Sequence, residues 1–182
     1  MKKKIIALII TLTVLVTLFA ACGKEEAPDR GFIFPAFESE SLEGEKVTDE
    51  IFKGNKVTMV NVWGTFCSPC IREMPDLQKI SKSYKDKGVR VIGVLCDTYD
   101  INKEENIPAK LKDAKDIVEM TGAAYTHILP SASLNKAMLD NIYSYPTTYF
   151  LNEKGEIIGT EYVGSRTYEQ WSAILDSILE SL

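Results

Sequence analysis

Two cysteines separated by two residues have the clearest chemical potential in this sequence. Cys67 and Cys70 stand in the run Trp-Gly-Thr-Phe-Cys-Ser-Pro-Cys, directly after an apolar segment at residues 57–62. A β-branched and apolar run of this kind predicts a strand buried on both faces. Ser68 and Pro69 favour a helix start, because serine is a good N-cap and proline is tolerated where an N–H lacks an intrahelical partner. The spacing therefore predicts a redox-active pair.

The predicted helix gives the two cysteines different roles. Cys67 would lie at the positive end of the helix, where the dipole and free amides lower its pKa below the roughly 8.5 of a free thiol. Cys70, about one turn further in, would be more buried and still close enough to form a disulfide. We therefore predict that Cys67 attacks a target disulfide and that Cys70 resolves the mixed disulfide.

Two other uses of a cysteine pair fit this chain less well. A structural zinc site needs four ligands, and the chain has no second pair with this spacing and a single histidine, His127. A structural disulfide usually joins distant segments, whereas a two-residue loop contributes little chain entropy. We expect no metal, and no cofactor beyond the redox-active disulfide itself.

The sequence resembles the extracytoplasmic thioredoxin-like thiol-disulfide oxidoreductases of the TlpA and ResA type over residues 32–182. The resemblance rests on residues 60–75, Val-Asn-Val-Trp-Gly-Thr-Phe-Cys-Ser-Pro-Cys-Ile-Arg-Glu-Met-Pro, on residues 145–151, Tyr-Pro-Thr-Thr-Tyr-Phe-Leu, and on Gly155. Two departures are Phe66, where the family usually has tryptophan, and a longer segment at residues 97–130. Neither touches the dithiol chemistry, and both bear on which partner protein fits.

The resemblance implies a proton-handling role for Glu73, which is three residues after Cys70 and on the same helical face. If it is buried beneath the dithiol, desolvation raises its pKa, and it takes or gives the proton as Cys70 attacks. The alternative is a solvated charge near a helix end. Asn61 stands where thioredoxins typically carry a buried aspartate, so proton handling falls to Glu73 or to water.

The resemblance also implies a docking edge for substrates. Pro146 resembles the cis-proline of the fold, which would turn the backbone of Tyr145 toward the dithiol and exclude metal from it. The alternative is a trans turn before a strand. Trp63 and Phe66 are interpreted as an apolar rim around Cys67, although Trp63 could equally be core packing. The candidate substrate-binding residues are Trp63, Phe66, Tyr145 and Pro146.

Strands alternate with helices and end in a hairpin, which predicts an α/β fold with a mixed sheet and helices on both faces. The resemblance implies a thioredoxin-like fold, with an N-terminal extension (32–37 and 46–52) and an insertion before the cis-proline hairpin. The predicted strands are 57–63, 89–96, 126–129, 147–151 and 156–163, and the predicted helices are 68–84, 108–121, 134–141 and one beginning near Thr167. Pro75 should kink or end the first helix.

Two single residues receive structural interpretations. Cys96 follows a buried-strand pattern and is interpreted as a small packing residue, with a third redox thiol as the alternative. His127 lies on a possible strand, far from the motif in sequence, and is interpreted as structural.

The N-terminus has the pattern of a bacterial lipoprotein signal. Three lysines precede an apolar run that ends in Leu-Phe-Ala-Ala-Cys at residues 18–22, which is shorter than a membrane span needs. We predict a signal peptide at 1–21, a lipidated Cys22 opening a tether at 22–31, and a thioredoxin-like domain at 32–182. The alternative is an ordinary secretory signal cleaved nearby.

Charge and motif together define the expected function. Removing residues 1–21 moves the net charge from −5 to −8 in a chain of 161 residues, with no basic patch for nucleic acid. We expect a monomer, lipid-anchored on the extracytoplasmic face of the cell membrane, that reduces protein disulfides. The resemblance implies a CcdA- or DsbD-type membrane electron donor and targets such as apocytochrome c or methionine sulfoxide reductases. The alternatives are a thiol oxidase and, in a different class, a Sco-like copper chaperone.

Overall fold

A five-stranded mixed sheet forms the centre of the protein in the computed structural model, which describes residues 34–182. The strands are β1 (Glu38–Glu40), β2 (Lys46–Thr48), β3 (Val57–Trp63), β4 (Val89–Leu95), β5 (Tyr99–Asp100), β6 (Glu105–Asn106), β7 (Thr126–Ile128), β8 (Thr147–Leu151) and β9 (Tyr162–Val163). The helices are α1 (Ser68–Ser83), α2 (Pro108–Thr121), α3 (Ala132–Ala137) and α4 (Tyr168–Ser181), and 3₁₀ turns lie at Asp49–Phe52, Lys85–Lys87 and Leu139–Asn141.

The central sheet has the order β7-β4-β3-β8-β9. β3, β4 and β7 run parallel, whereas β8 is antiparallel to β3 and β9 is antiparallel to β8. All seven residues of β3 are buried, as its apolar sequence predicts. Since Trp63 pairs with Leu95, the parallel strands β3 and β4 end at the same edge of the sheet. The segments that follow them therefore emerge side by side.

Both faces of the sheet are covered, which confirms the predicted thioredoxin-like α/β fold. Alternate β3 residues face opposite sides. Met59 and Trp63 pack with the buried faces of α1, α2 and α4. Val60 and Val62 pack with α3 and the N-terminal extension.

Helix α1 carries both cysteines, and its first residue is Ser68. The N-cap, however, is Cys67 and not Ser68, because Sγ of Cys67 accepts the Cys70 N–H at 3.3 Å. Pro69 lies in the first turn, as expected. Pro75 lies inside the helix and does not end it, since α1 continues to Ser83.

The N-terminal extension forms the β1–β2 hairpin and a 3₁₀ turn. Phe34 packs edge-on against Phe37 and Phe52, with ring centroids 5.7 and 5.4 Å apart. These rings belong to the core on the α3 side of the sheet. The described part of the N-terminal extension therefore packs on the domain.

The insertion at residues 97–130 contains a small hairpin, β5–β6, followed by α2 and β7. Helix α2 has the predicted bounds, and Gly122 ends it with a positive φ of 66°. Such a left-handed C-terminal residue is where glycine is favoured. Helix α4 also begins as predicted, because Thr167 and Gln170 form both hydrogen bonds of a capping box.

Two predicted elements were wrong in extent. The helix expected at 134–141 is α3 followed by a separate 3₁₀ turn, with the break at Met138. The strand expected at 156–163 shrinks to β9 and one bridge between Leu151 and Ile157. Between the Leu151–Ile157 bridge and the Thr148–Tyr162 pair, β8 advances by three residues and the returning chain by five. The extra residues of the returning chain therefore bulge out of the sheet.

The predicted signal peptide (1–21), Cys22 and the tether (22–31) lie outside the described residues. Within residues 34–182, no helix combines the length and the hydropathy needed to cross a bilayer.

Candidate active site

The cysteine pair lies where β3 passes into α1, at the end of the sheet where β4 also ends. Cys67 and Cys70 form a disulfide with their Cα atoms 5.3 Å apart. Cys67 keeps 5% of its surface exposed and Cys70 none. An incoming thiolate or disulfide can therefore reach the first sulfur and not the second, which suits a division into attacking and resolving positions.

Glu73 is buried one turn after Cys70, with 3% of its surface exposed. Its Oε1 accepts the Arg166 N–H at 2.8 Å and the Trp171 indole N–H at 2.7 Å. Burial raises the pKa of Glu73 from 4.5 to about 6, although these donors and Asn61 favour the charged form and limit the rise. The carboxyl group can thus exchange a proton near neutral pH.

Asn61 connects β3 to this carboxylate. Its fully buried amide donates to Oε2 of Glu73 at 3.3 Å and to Oγ1 of Thr148 at 3.0 Å. Among the described residues, none donates to Oδ1 of Asn61. A neutral amide therefore stands beside Glu73, which makes Glu73 the carboxylate of this buried network.

The residues of the expected docking edge lie in two segments, one before Cys67 and one before β8. The Tyr145–Pro146 peptide bond is cis, and the Pro146 carbonyl accepts the Gly164 N–H at 2.9 Å. The half-buried ring of Tyr145 packs edge-on against Phe66, with centroids 5.8 Å apart. Phe66 itself is 61% exposed. The structure thus brings Phe66, next to Cys67, together with Tyr145 and Pro146.

Comparison with known proteins decides the family. A model of the family described as Redoxin matches residues 29–176. The chain belongs to the redoxin family. It is 33% identical over 153 residues to the thioredoxin-like protein YneN of Bacillus subtilis, which covers 84% of this chain and 82% of YneN. It is 30% identical over 184 residues to the thiol-disulfide oxidoreductase ResA of Bacillus cereus, covering 97% and 94% of the two chains.

Solved structures show the same fold. StoA of Bacillus subtilis superposes with a TM-score of 0.58 at 26% identity, over 78% of this chain and 96% of StoA. A thioredoxin-family thiol:disulfide interchange protein of Chlorobium tepidum gives a TM-score of 0.67 at 23% identity, over 84% and 99%. The expected resemblance is confirmed: this redoxin is a ResA/TlpA-like enzyme, a thioredoxin-fold thiol-disulfide oxidoreductase.

Trp63 is not part of an exposed rim in this redoxin. As the last residue of β3 it is fully buried, and its indole N–H donates to Nδ1 of His127 at 3.2 Å. The second ring nitrogen of His127, Nε2, lies 2.9 Å from the Ala123 carbonyl oxygen. Burial lowers the pKa of His127 to about 4, so the ring is neutral at pH 7. The interpretation of Trp63 as substrate-binding was wrong, because the side chain points into the core.

Cys96 follows β4 and is half-buried, with a free thiol. A Cβ atom at Gly64 would lie 2.9 Å from Sγ of Cys96 and 2.6 Å from Cε1 of Phe66, so this thiol sits close to the site. Burial raises the pKa of Cys96 to about 12. A thiol that stays protonated at neutral pH is a poor nucleophile, which agrees with a packing role.

Several contacts around the site have no local pattern in the sequence. Trp171 is both a core residue and a donor to Glu73. Asp97 and Lys110 hold the loop before Cys67 and had no motif of their own. The position of Asp97 just beyond β4 could have indicated it, because parallel strands end at one edge. Within residues 34–182, no three His, Cys, Asp or Glu side chains are grouped so as to hold a metal ion.

Proposed function

We propose that this redoxin is a membrane-anchored reductase of protein disulfides outside the cytoplasm. The observation that carries the proposal is the joint geometry of a reachable Cys67, an enclosed Cys70 and a buried Glu73 one turn away. In the first step the Cys67 thiolate attacks a target disulfide and releases one target thiolate, leaving a mixed disulfide. In the second step the Cys70 thiolate attacks Cys67, which forms the internal disulfide and releases the second target thiolate.

Glu73 is proposed to accept the Cys70 proton in the second step. Residues three apart on a helix lie about 5–6 Å apart at their Cβ atoms, so Glu73 is within reach of Cys70 directly or through one water. A pKa of about 6 leaves Glu73 mostly ionised at pH 7. A buried negative charge opposes a thiolate on the neighbouring cysteine, which destabilises the reduced pair. This electrostatic effect lowers the reduction potential and supports the reductive direction over the oxidative one.

Phe66, Tyr145 and Pro146 are proposed to bind the substrate. Their support is the exposed ring of Phe66 against Tyr145, next to the accessible sulfur. An apolar surface here would receive an extended segment around a target disulfide. The proposed targets are disulfide-bearing extracytoplasmic proteins, with apocytochrome c or methionine sulfoxide reductases as examples that the family resemblance suggests.

The proposed anchor is lipid on Cys22, after removal of residues 1–21, with a tether at 22–31. Its support is the lysine-led apolar run that ends in small residues directly before Cys22. Two or more acyl chains give stable attachment where one gives only reversible binding. A membrane electron donor of the CcdA or DsbD type would reduce the Cys67–Cys70 disulfide back to the dithiol. The domain would act as a monomer, with no cofactor besides this disulfide.

Trapping of the mixed disulfide tests the assignment of roles. The Cys70→Ser variant of the full chain should accumulate covalent complexes through Cys67 with disulfide-bearing proteins, and Cys67→Ser should accumulate none. Trapping by the Cys67→Ser variant instead would reverse the roles of the two sulfurs.

Fatty-acid labelling in cells tests the anchor. Labelled palmitate should appear in the wild-type chain and not in Cys22→Ser, with Cys96→Ser as the matched cysteine control. Equal labelling of the wild type and the Cys22→Ser variant would refute lipidation at Cys22.

A further inference from the structure

A polar cluster outside the dithiol ties the loop before Cys67 to the insertion. The Thr65 N–H donates to Oδ1 of Asp97 at 3.0 Å, and the Thr65 hydroxyl donates to Oδ2 at 2.6 Å. Lys110, in the first turn of α2, donates to Thr65 Oγ1 at 2.9 Å and lies 3.2 Å from Oδ2 of Asp97. Two residues of the insertion thus fix the backbone and side chain of a residue two positions before the attacking sulfur.

The charges of this cluster contact Thr65, which is two residues before Cys67. Residues two apart have Cα atoms at most about 7.6 Å apart, so the residue that both charged groups hold is a near neighbour of Cys67. The Asp97 side chain is 14% exposed and that of Lys110 37%, so water screens the pair only in part. Both charges act on the neighbouring Cys96 thiol, since Asp97 raises the pKa of Cys96 and Lys110 lowers it.

We propose that Asp97 and Lys110 are positioning residues for Cys67: they fix the loop at Thr65, two residues before the attacking sulfur, and Lys110 offsets the charge of the Asp97 carboxylate there. The inference rests on the proposed role of Cys67 as the attacking thiol. An ionised carboxylate alone at this place would oppose the thiolate, whereas the paired lysine removes that opposition.

Other titratable groups at this edge do not supply the same charge. Cys96 and Tyr145 each have a pKa raised to about 12, mainly by burial, and are neutral at pH 7. Glu73 adds a buried carboxylate from α1, and it is unchanged in all the variants below. Differences between these variants therefore report on Asp97 and Lys110.

The pH dependence of iodoacetamide alkylation of the reduced full chain tests the inference, with the modified cysteine identified by peptide mass. Lys110→Met should raise the pKa of Cys67 by roughly half a unit to one unit, and Asp97→Asn should lower it by a similar amount. The double variant should return close to the wild-type value, and Lys110→Arg should retain it. Lys112→Met is the matched control, because Lys112 is an exposed α2 lysine paired with Asp116.

Opposite shifts of the Cys67 pKa in Lys110→Met and Asp97→Asn distinguish an electrostatic role from simple support of the loop. If Lys110→Met and Asp97→Asn move the pKa of Cys67 in the same direction, or leave it unmoved, the inference is overturned. Alkylation of Cys70 in place of Cys67 would instead overturn the proposed division of roles between the sulfurs. Asp97→Asn and Lys110→Arg preserve the shape of the cluster, so their comparison with the wild type keeps the test valid if Lys110→Met does not fold.

Discussion

The indole of Trp171 donates to Oε1 of Glu73 at 2.7 Å, which joins the last helix to the carboxylate one turn after Cys70. The Arg166 N–H reaches the same oxygen, and the Asn61 amide reaches the other. Segments from three parts of the chain therefore converge on one buried acid. Its protonation depends on all of them, which makes it the most informative group to perturb.

Replacing Glu73 by glutamine should slow the resolving step. The amide cannot accept the Cys70 proton, so we expect a loss on the order of 10²-fold, typical of removing a general base. The pH dependence with a midpoint near 6 should disappear with it. Single-turnover reduction of a protein disulfide by stopped flow measures both, and an unchanged rate profile across pH would remove Glu73 from the mechanism.

Glu73 should also make stability depend on pH. Its pKa is raised in the folded state, so between about pH 4.5 and 6 the unfolded chain loses this proton while the folded chain keeps it. The free energy of unfolding contributed by this group therefore falls as pH rises through that window, by about 2 kcal/mol.

Denaturant unfolding of the oxidised protein at pH 4 and pH 7 measures this contribution. The free energy of unfolding of the wild type, relative to that of Glu73→Gln, should fall by about 2 kcal/mol from pH 4 to pH 7. Glu180→Gln makes the same change at an exposed position on α4 and should leave the pH dependence as in the wild type. Parallel curves for wild type and Glu73→Gln would contradict the buried, titrating carboxyl group.

Asn61→Asp would place a second carboxyl group 3.3 Å from Oε2 of Glu73. Two carboxylates at this distance cannot both ionise readily, so one proton should be retained and the pair should titrate with one strongly raised apparent pKa. We expect stability to fall more between pH 5 and pH 8 in Asn61→Asp than in the wild type, measured by denaturant unfolding. Asn102→Asp, at an exposed turn residue, is the control, and a fall in Asn61→Asp no larger than that of the wild type would disprove the coupling.

Phe66→Ala should weaken the reduction of protein disulfides more than that of small ones. The ring is exposed beside Tyr145, so its loss removes apolar contact with a docked chain and leaves the sulfurs in place. A fall of about 5- to 30-fold in kcat/KM for a protein substrate is expected, corresponding to roughly 1–2 kcal/mol. The small substrate should change little. Met120→Ala is the exposed apolar control on α2, and equal losses for both substrate sizes would place Phe66 in the chemistry.

Local signals in the sequence account for much of the fold. Six apolar or β-branched residues out of seven predict β3, Pro108 and Gly122 delimit α2, and Thr167 with Gln170 starts α4. Each signal acts within a few residues, so neighbouring sequence is sufficient to find it. The CxxC spacing likewise places both sulfurs on one helix.

Contacts between distant segments could not be read in the same way. Trp171 is 98 residues from Glu73, and no local pattern states that its indole faces a carboxylate. Trp63 is a large aromatic residue of the kind often found in binding sites, yet its position at the end of β3 directs its side chain to His127. The bulge before β9 depends on how β8 pairs, which is a property of the sheet and not of the strand.

The reduction potential of the Cys67–Cys70 couple tests the central claim most directly. Equilibration of the purified full chain with glutathione or dithiothreitol buffers at pH 7 measures it, with the fraction of free thiol as readout. We predict a value near or below about −250 mV, because Glu73 opposes the thiolate and disfavours the reduced pair. A value near about −120 mV, that of a strong oxidant, would contradict a reductase and identify an enzyme that donates its disulfide.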